Sequence, residues 1–105
     1  MGKDIRSKEL DDLFHAILLL KDCSECYDFF EDICTMNELI SLSQRFEVAG
    51  MLREGRTYLD IAEKTGASTA TISRVNRTLM YGNDGYKLVM DRMRAEGESV
   101  SEDDS

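Results

Sequence analysis

The chain has 105 residues, which is the size of a single domain with one modest hydrophobic core. It contains 13 basic and 21 acidic side chains, for a formal net charge of -8, and it has no proline. The longest uninterrupted apolar run, Ala16 to Leu20, is too short to span a bilayer. Asp4, Glu9 and Asp11 stand where a secretory signal would have a basic end and an apolar stretch, so we expect a cytoplasmic protein.

The charge is unevenly distributed along the chain. Residues 1–54 carry a net charge of -6, residues 55–94 carry +3, and residues 95–105 carry -5. The positive segment keeps nucleic acid open as a partner in spite of the acidic average. Residues 95–105 have Val100 as their only large apolar side chain, which predicts an acidic flexible tail after a single helical domain of residues 1–94.

Apolar residues at helical spacing, together with the absence of proline, predict an all-α protein of about six helices. The first helix is capped by Ser7, and its predicted buried face consists of Leu10, Leu13, Phe14, Ile17 and Leu18. A second helix begins near Asp22, which is its predicted N-cap, and Glu25 three residues later supports this role. The remaining four helices are bounded by capping residues, glycines and turns, at Thr35 to Gly55, Thr57 to Gly66, Ser68 to about Tyr81, and Tyr86 to about Ala95.

The segment Thr57–Leu79 has the residue spacing of a helix-turn-helix. Two short crossing helices need a small residue where they touch, which Ala62 supplies, and a residue that tolerates positive φ in the turn, which is Gly66. The second helix also needs aliphatic anchors that hold it against the first. Ile72 and Val75 have the expected spacing for that role.

The outward face of the second helix of this motif carries no carboxylate. In the helix-turn-helix docking mode, the N-terminal part of this helix enters the major groove of DNA. Small side chains there allow close approach, and methyl groups suit the thymine methyl. We therefore predict base-edge contact by Thr69, Ala70 and Ser73 beside the cap Ser68, and contact with phosphate or a nearby ligand by Lys64, Arg74 and Arg77.

Three short motifs between residues 35 and 79 are the most specific part of the sequence. They are Gln44-Arg45, Met51-Leu52-Arg53-Glu54-Gly55, and a longer one at residues 66–74 that ends in Ala70-Thr71-Ile72-Ser73-Arg74. With the helices around them, they resemble the tryptophan repressor family over about residues 7–94, and most closely its TrpR-related YerC/YecD group of bacterial proteins. The resemblance implies an intertwined all-helical homodimer that reads double-stranded operator DNA as a transcriptional regulator.

The resemblance also implies a pocket for a small-molecule corepressor. Where the family has a glycine that lets the indole ring of tryptophan lie against the backbone, this chain has Val75, whose side chain would occupy that space. This departure argues against tryptophan and leaves open both whether a small-molecule corepressor exists and what it is; no other cofactor is expected. Leu59 and Ala62 replace basic residues of the family, which removes expected phosphate contacts. The pocket residues implied by alignment are Thr35, Arg45, Arg74, Val75 and Thr78.

Two alternatives from other classes remain open. One is an acidic helical module that binds protein, and the other is a metal or thiol sensor built on Cys23, Cys26 and Cys34. A zinc site would need four ligands, so His15 and Cys34 would have to converge on Cys23 and Cys26. The positions of Cys26 and Cys34 in the apolar helical spacing favour ordinary packing instead. No residue pattern predicts catalysis or a metal site, so we do not expect an enzyme.

Overall fold

The computed structural model describes the backbone of residues 5–104 and the side chains of residues 5–97. Within this part of the chain there are six α-helices and no strand, which confirms the all-α prediction. No helix among these residues has both the length and the apolar character to cross a membrane. The helices are α1 Lys8–Leu18, α2 Cys23–Ile33, α3 Met36–Arg53, α4 Tyr58–Thr65, α5 Thr69–Tyr81 and α6 Gly85–Asp104.

Local capping bonds fix where the helices begin. At the start of α3, the Glu38 backbone N–H donates to the Thr35 hydroxyl at 3.1 Å, and the Thr35 N–H donates to the Glu38 carboxylate at 2.8 Å. This reciprocal pair satisfies two backbone donors that have no partner inside the helix. The other predicted caps each accept a bond from the N–H three residues further on, and they are Ser7, Asp22, Thr57 and Ser68.

The chain divides into two compact units, residues 1–39 and residues 40–105. In the first unit, which contains α1 and α2, no described side chain is buried. The predicted buried face of α1 is therefore not buried within this chain, and Phe14 and Leu18 are 51% and 78% exposed. The physical reason is size, because two helices of 11 residues each have too little surface to enclose a core.

The second unit holds the hydrophobic core. The C-terminal half of α3 contributes Val48, Ala49 and Met51, which pack with the buried residues of α4, α5 and the turn between them. Half-buried side chains of α6, Tyr86 and Met90, pack against this cluster. The remaining members of the core are Ile61, Ala67, Ile72 and Val75, with Leu52, Ala62 and Leu79 at its edge.

The C-terminal ends of α3 and α6 contrast with each other. After α3, Gly55 has φ +84°, and the Arg56 N–H donates to the Met51 carbonyl at 3.1 Å, which is the closing bond of a Schellman motif. The predicted end of α6 near Ala95 is wrong, because the helix continues to Asp104. No proline interrupts it, and the single Gly97 costs only about 1 kcal/mol of helix propensity. The domain boundary at residue 94 and the flexibility of the tail stay predictions.

Candidate nucleic-acid interface

The turn between α4 and α5 is built from local hydrogen bonds. Gly66 ends α4 with φ +75°, a left-handed conformation that glycine adopts without steric cost. The Thr65 hydroxyl donates to the Ile61 carbonyl at 2.8 Å and accepts from the Ala67 N–H at 3.1 Å. Because Ser68 then caps α5, the second helix begins only a few residues after the first one ends, as the sequence predicts.

The inward side of α5 is anchored in the core. Ile72 and Val75 are 0% and 2% exposed, and Leu79 is half-buried against the same cluster. Ala62, the predicted small residue of α4, also packs at the edge of this core. These contacts fix the rotation of α5 about its own axis, so they determine which side chains face outward.

The outward side of α5 has the composition predicted for a DNA-reading helix. Thr69, Ala70 and Ser73 are exposed near its N-terminal end, as are Arg74 and Arg77 further along. The helix contains no aspartate or glutamate over its 13 residues. A surface of this kind combines close approach by small side chains with positive charge for phosphate.

The three predicted phosphate ligands are Lys64, Arg74 and Arg77. Among the described residues, neither the Lys64 ammonium nor the guanidinium groups of Arg74 and Arg77 form a salt bridge. All three side chains are exposed, so they can meet an anion without first giving up an internal partner.

Two other arginines of this unit have internal carboxylate partners. Arg53 pairs with Asp91 at 3.0 Å, and Arg56 contacts Asp60 at 3.1 Å and Glu54 at 3.2 Å. The hydrogen bond to Asp60 raises the pKa of Arg56 above the ordinary arginine value, against a smaller effect of desolvation. The first pair joins α3 to α6, and the contacts of Arg56 lie at the connection between α3 and α4, so none of them involves a charge on α5.

A cavity of about 190 Å³ lies between α3 and α5. It brings together three of the predicted pocket residues, Arg45, Arg74 and Val75. Thr78 lines a different cavity, of about 380 Å³, and its hydroxyl donates to the Arg74 carbonyl at 3.2 Å. Thr35 belongs to the first unit, where it caps α3.

Polar residues of the smaller cavity were not predicted from the sequence. Ser41, Gln44 and Thr71 line it, and the Ser41 hydroxyl accepts a hydrogen bond from Arg45 at 3.1 Å. The Gln44 side-chain amide donates to the Thr65 carbonyl at 3.2 Å and so ties α3 to the turn of the helix-turn-helix. The spacing of Ser41 and Arg45, one helical turn apart, is the only sequence signal for this arrangement.

Comparison with known proteins identifies the architecture. The sequence matches the family model of the Trp repressor protein over residues 8–94. The chain belongs to the Trp repressor family. Members of this family are regulators rather than enzymes.

Three relatives within or beside the Trp repressor family illustrate the similarity. The uncharacterized protein YerC of Bacillus subtilis (strain 168) is 62% identical over 98 residues, which cover 92% of this chain and 94% of YerC. The crystal structure of a TrpR-like protein from Eubacterium eligens ATCC 27750 superposes with a TM-score of 0.83 at 71% identity, covering 85% of this chain and 92% of that one. The crystal structure of a protein from Staphylococcus aureus, described as a proposed Trp repressor, superposes with a TM-score of 0.83 at 56% identity, covering 86% of this chain and 90% of that one.

The three cysteines of this Trp repressor family member belong to the first unit, residues 1–39. Cys23 and Cys26 are exposed and Cys34 is half-buried. The expectation that Cys26 packs as a small apolar residue is therefore wrong for this chain, since α2 has no buried position to offer it. Among the described residues, no three His, Cys, Asp or Glu side chains are grouped as metal ligands.

Proposed function

We propose that the protein is a sequence-specific transcriptional regulator that reads operator DNA as a homodimer, with α5 in the major groove. The observation that carries this proposal is the outward face of α5, where small side chains and two exposed arginines occur without any carboxylate. The rest of the chain is acidic on average, so electrostatic repulsion disfavours the approach of DNA in most other orientations. Binding then depends on orientation, and nonspecific affinity is expected to be weak.

Selection of bound duplexes from a random DNA pool tests this proposal. We expect an enriched palindromic site and an affinity for it that falls steeply with salt concentration, because each phosphate contact releases counterions. A scrambled duplex of equal length is the control and should bind at least about a thousandfold more weakly at physiological salt. Failure to enrich any site, together with no detectable binding to duplex DNA at low salt, would instead support the acidic protein-interaction module.

The homodimer is inferred from the apolar face of α1. Its exposed Phe14 and Leu18 form a stripe that a second copy can cover. Sedimentation velocity on the purified protein is expected to give twice the chain mass of 11.9 kDa. Phe14→Glu should shift the equilibrium to monomer, whereas Glu9→Lys, an exposed position on the opposite side of the same helix, should not. A monomeric wild-type protein at micromolar concentration would contradict the inference.

The cavity between α3 and α5 is the proposed effector site. Arg45 and Arg74 give it two guanidinium groups, which favour a small molecule with an acidic group. Val75 is buried against the core and also lines this cavity, so it narrows the space available for an aromatic ring.

Calorimetric titration with free tryptophan tests the role of Val75. We expect no heat of binding in the micromolar range, because the valine side chain stands where the indole would lie. Val75→Gly, after its folding has been checked by circular dichroism, is the matched variant in which heat should appear. Micromolar binding by the wild-type protein would contradict this assignment.

A further inference from the structure

The cysteine pair of α2 takes no part in the proposed function. Cys23 is the first residue of the helix, Cys26 lies three residues further on, and both are exposed. Residues three apart in an α-helix lie on the same side of it, and helix geometry places their Cα atoms about 5 Å apart. A disulfide needs roughly 4.4 to 6.8 Å between Cα atoms. The Cα separation in α2 therefore falls within the disulfide range, and the Cβ atoms, about 5 to 6 Å apart at this spacing, must approach each other by about 1 Å for the bond to form.

The third cysteine does not fit this arrangement. Cys34 is the C-cap of α2, eight residues after Cys26, and it is half-buried. At about 1.5 Å of rise per residue, it lies roughly 12 Å along the helix from Cys26. This distance exceeds the disulfide limit of about 7 Å, so Cys34 cannot pair with Cys26 or Cys23 while α2 is intact.

The first turn of α2 is held in place by its own capping bonds. The Asp22 carboxylate accepts from the Glu25 N–H at 2.9 Å, and the Glu25 carboxylate accepts from the Lys21 N–H at 2.9 Å. The Cys26 N–H donates to the Asp22 carbonyl at 3.1 Å, which completes the turn. Because this turn is ordered before any reaction, closing a ring between the two sulfur atoms costs little additional backbone entropy.

We propose that Cys23 and Cys26 are a redox-active dithiol that forms an intramolecular disulfide by exchange with a low-molecular-weight disulfide. One thiolate attacks a sulfur of the small disulfide, forms a mixed disulfide and releases one small thiol. The second thiolate attacks the protein sulfur of that mixed disulfide and displaces the other small thiol. The dithiol is oxidised, the small disulfide is reduced to two thiols, and these take up the two protons that the cysteines lose.

Intact-mass spectrometry of the full-length protein treated with oxidised glutathione tests the proposal. We expect the wild-type protein to lose two hydrogen atoms and to carry no stable glutathione on the pair. Cys26→Ser should stop at the mixed disulfide and accumulate glutathione on Cys23 at least about tenfold above the wild-type level, because the second exchange step is missing. Cys34→Ser is the matched control and should lose two hydrogen atoms like the wild-type protein.

Circular dichroism measured during oxidation separates this disulfide from one that forms in unfolded chains. Helix content should stay constant during oxidation and should not increase on reduction with dithiothreitol, because the Cα atoms of the pair are within disulfide range in the intact helix. Helix loss in step with oxidation would overturn the proposal. Glutathione retained on the wild-type pair, disulfide-linked dimers as the main product, or reaction only in denaturant would also overturn it.

Discussion

Replacing Arg74 and Arg77 together by alanine is expected to weaken binding to every duplex DNA by about one to two orders of magnitude. Both guanidinium groups are exposed and form no salt bridge with the residues that the structure describes, so their loss would remove the proposed phosphate contacts without breaking an ion pair there. The slope of log affinity against log salt should fall by about two, roughly one for each contact. Fluorescence anisotropy of a labelled operator duplex over a salt series measures both quantities.

Lys87→Ala combined with Arg92→Ala is the matched control for this experiment. Both residues are exposed on α6 and neither forms a salt bridge among the described residues, so the pair changes the net charge equally. We expect the control to leave the salt slope within experimental error of the wild-type value. An equal loss of affinity in both double variants would assign DNA binding to general charge and contradict the placement of α5.

Truncating Ile72 to alanine is expected to lower the free energy of unfolding by about 2 to 5 kcal/mol. This side chain is 0% exposed and lies at the centre of the core that joins α3, α4 and α5. Domains of this size are stabilised by only about 5 to 15 kcal/mol, so the loss is a large fraction of the total. The midpoint and slope of a urea denaturation curve, measured by circular dichroism, give the change.

Leu59→Ala provides the comparison for the core variant. Leu59 is on α4 of the same motif but is 74% exposed, so its truncation should alter the unfolding free energy by at most about 0.5 kcal/mol. If Leu59→Ala destabilised the protein as much as Ile72→Ala, the orientation of α4 and α5 described above would be wrong.

Most helix starts could be predicted because the forces that set them are local. Ser7, Asp22 and Ser68 each bond a backbone N–H only three residues away, and the chemistry of that bond is visible in the sequence. The length of α6 was missed because the acidic residues after Ala95 offer few apolar side chains to bury, yet they do not break the backbone hydrogen bonds of the helix. Composition is therefore a poor guide to where a helix without proline ends.

The outward face of α5 could also be predicted, because it follows from which residues are turned inward. Ile72 and Val75 are buried as their spacing indicates, and the exposure of Ser73 and Arg74 follows from helix geometry. The cavity was predicted only in part, since it depends on contacts between helices far apart in sequence. Arg45 and Arg74 meet there, but Thr78 lines another cavity.

The hydrogen bond from Gln44 to the Thr65 carbonyl has a consequence for allostery. Gln44 lines the cavity between α3 and α5, and Thr65 belongs to the turn that positions α5. A ligand that recruits the Gln44 amide takes this donor away from the turn, whereas one that leaves the bond intact restrains the same amide. If the cavity is the effector site proposed above, any change that its ligand makes in this bond is linked to the order of the turn, and that linkage acts equally in both directions, from ligand to DNA and from DNA to ligand.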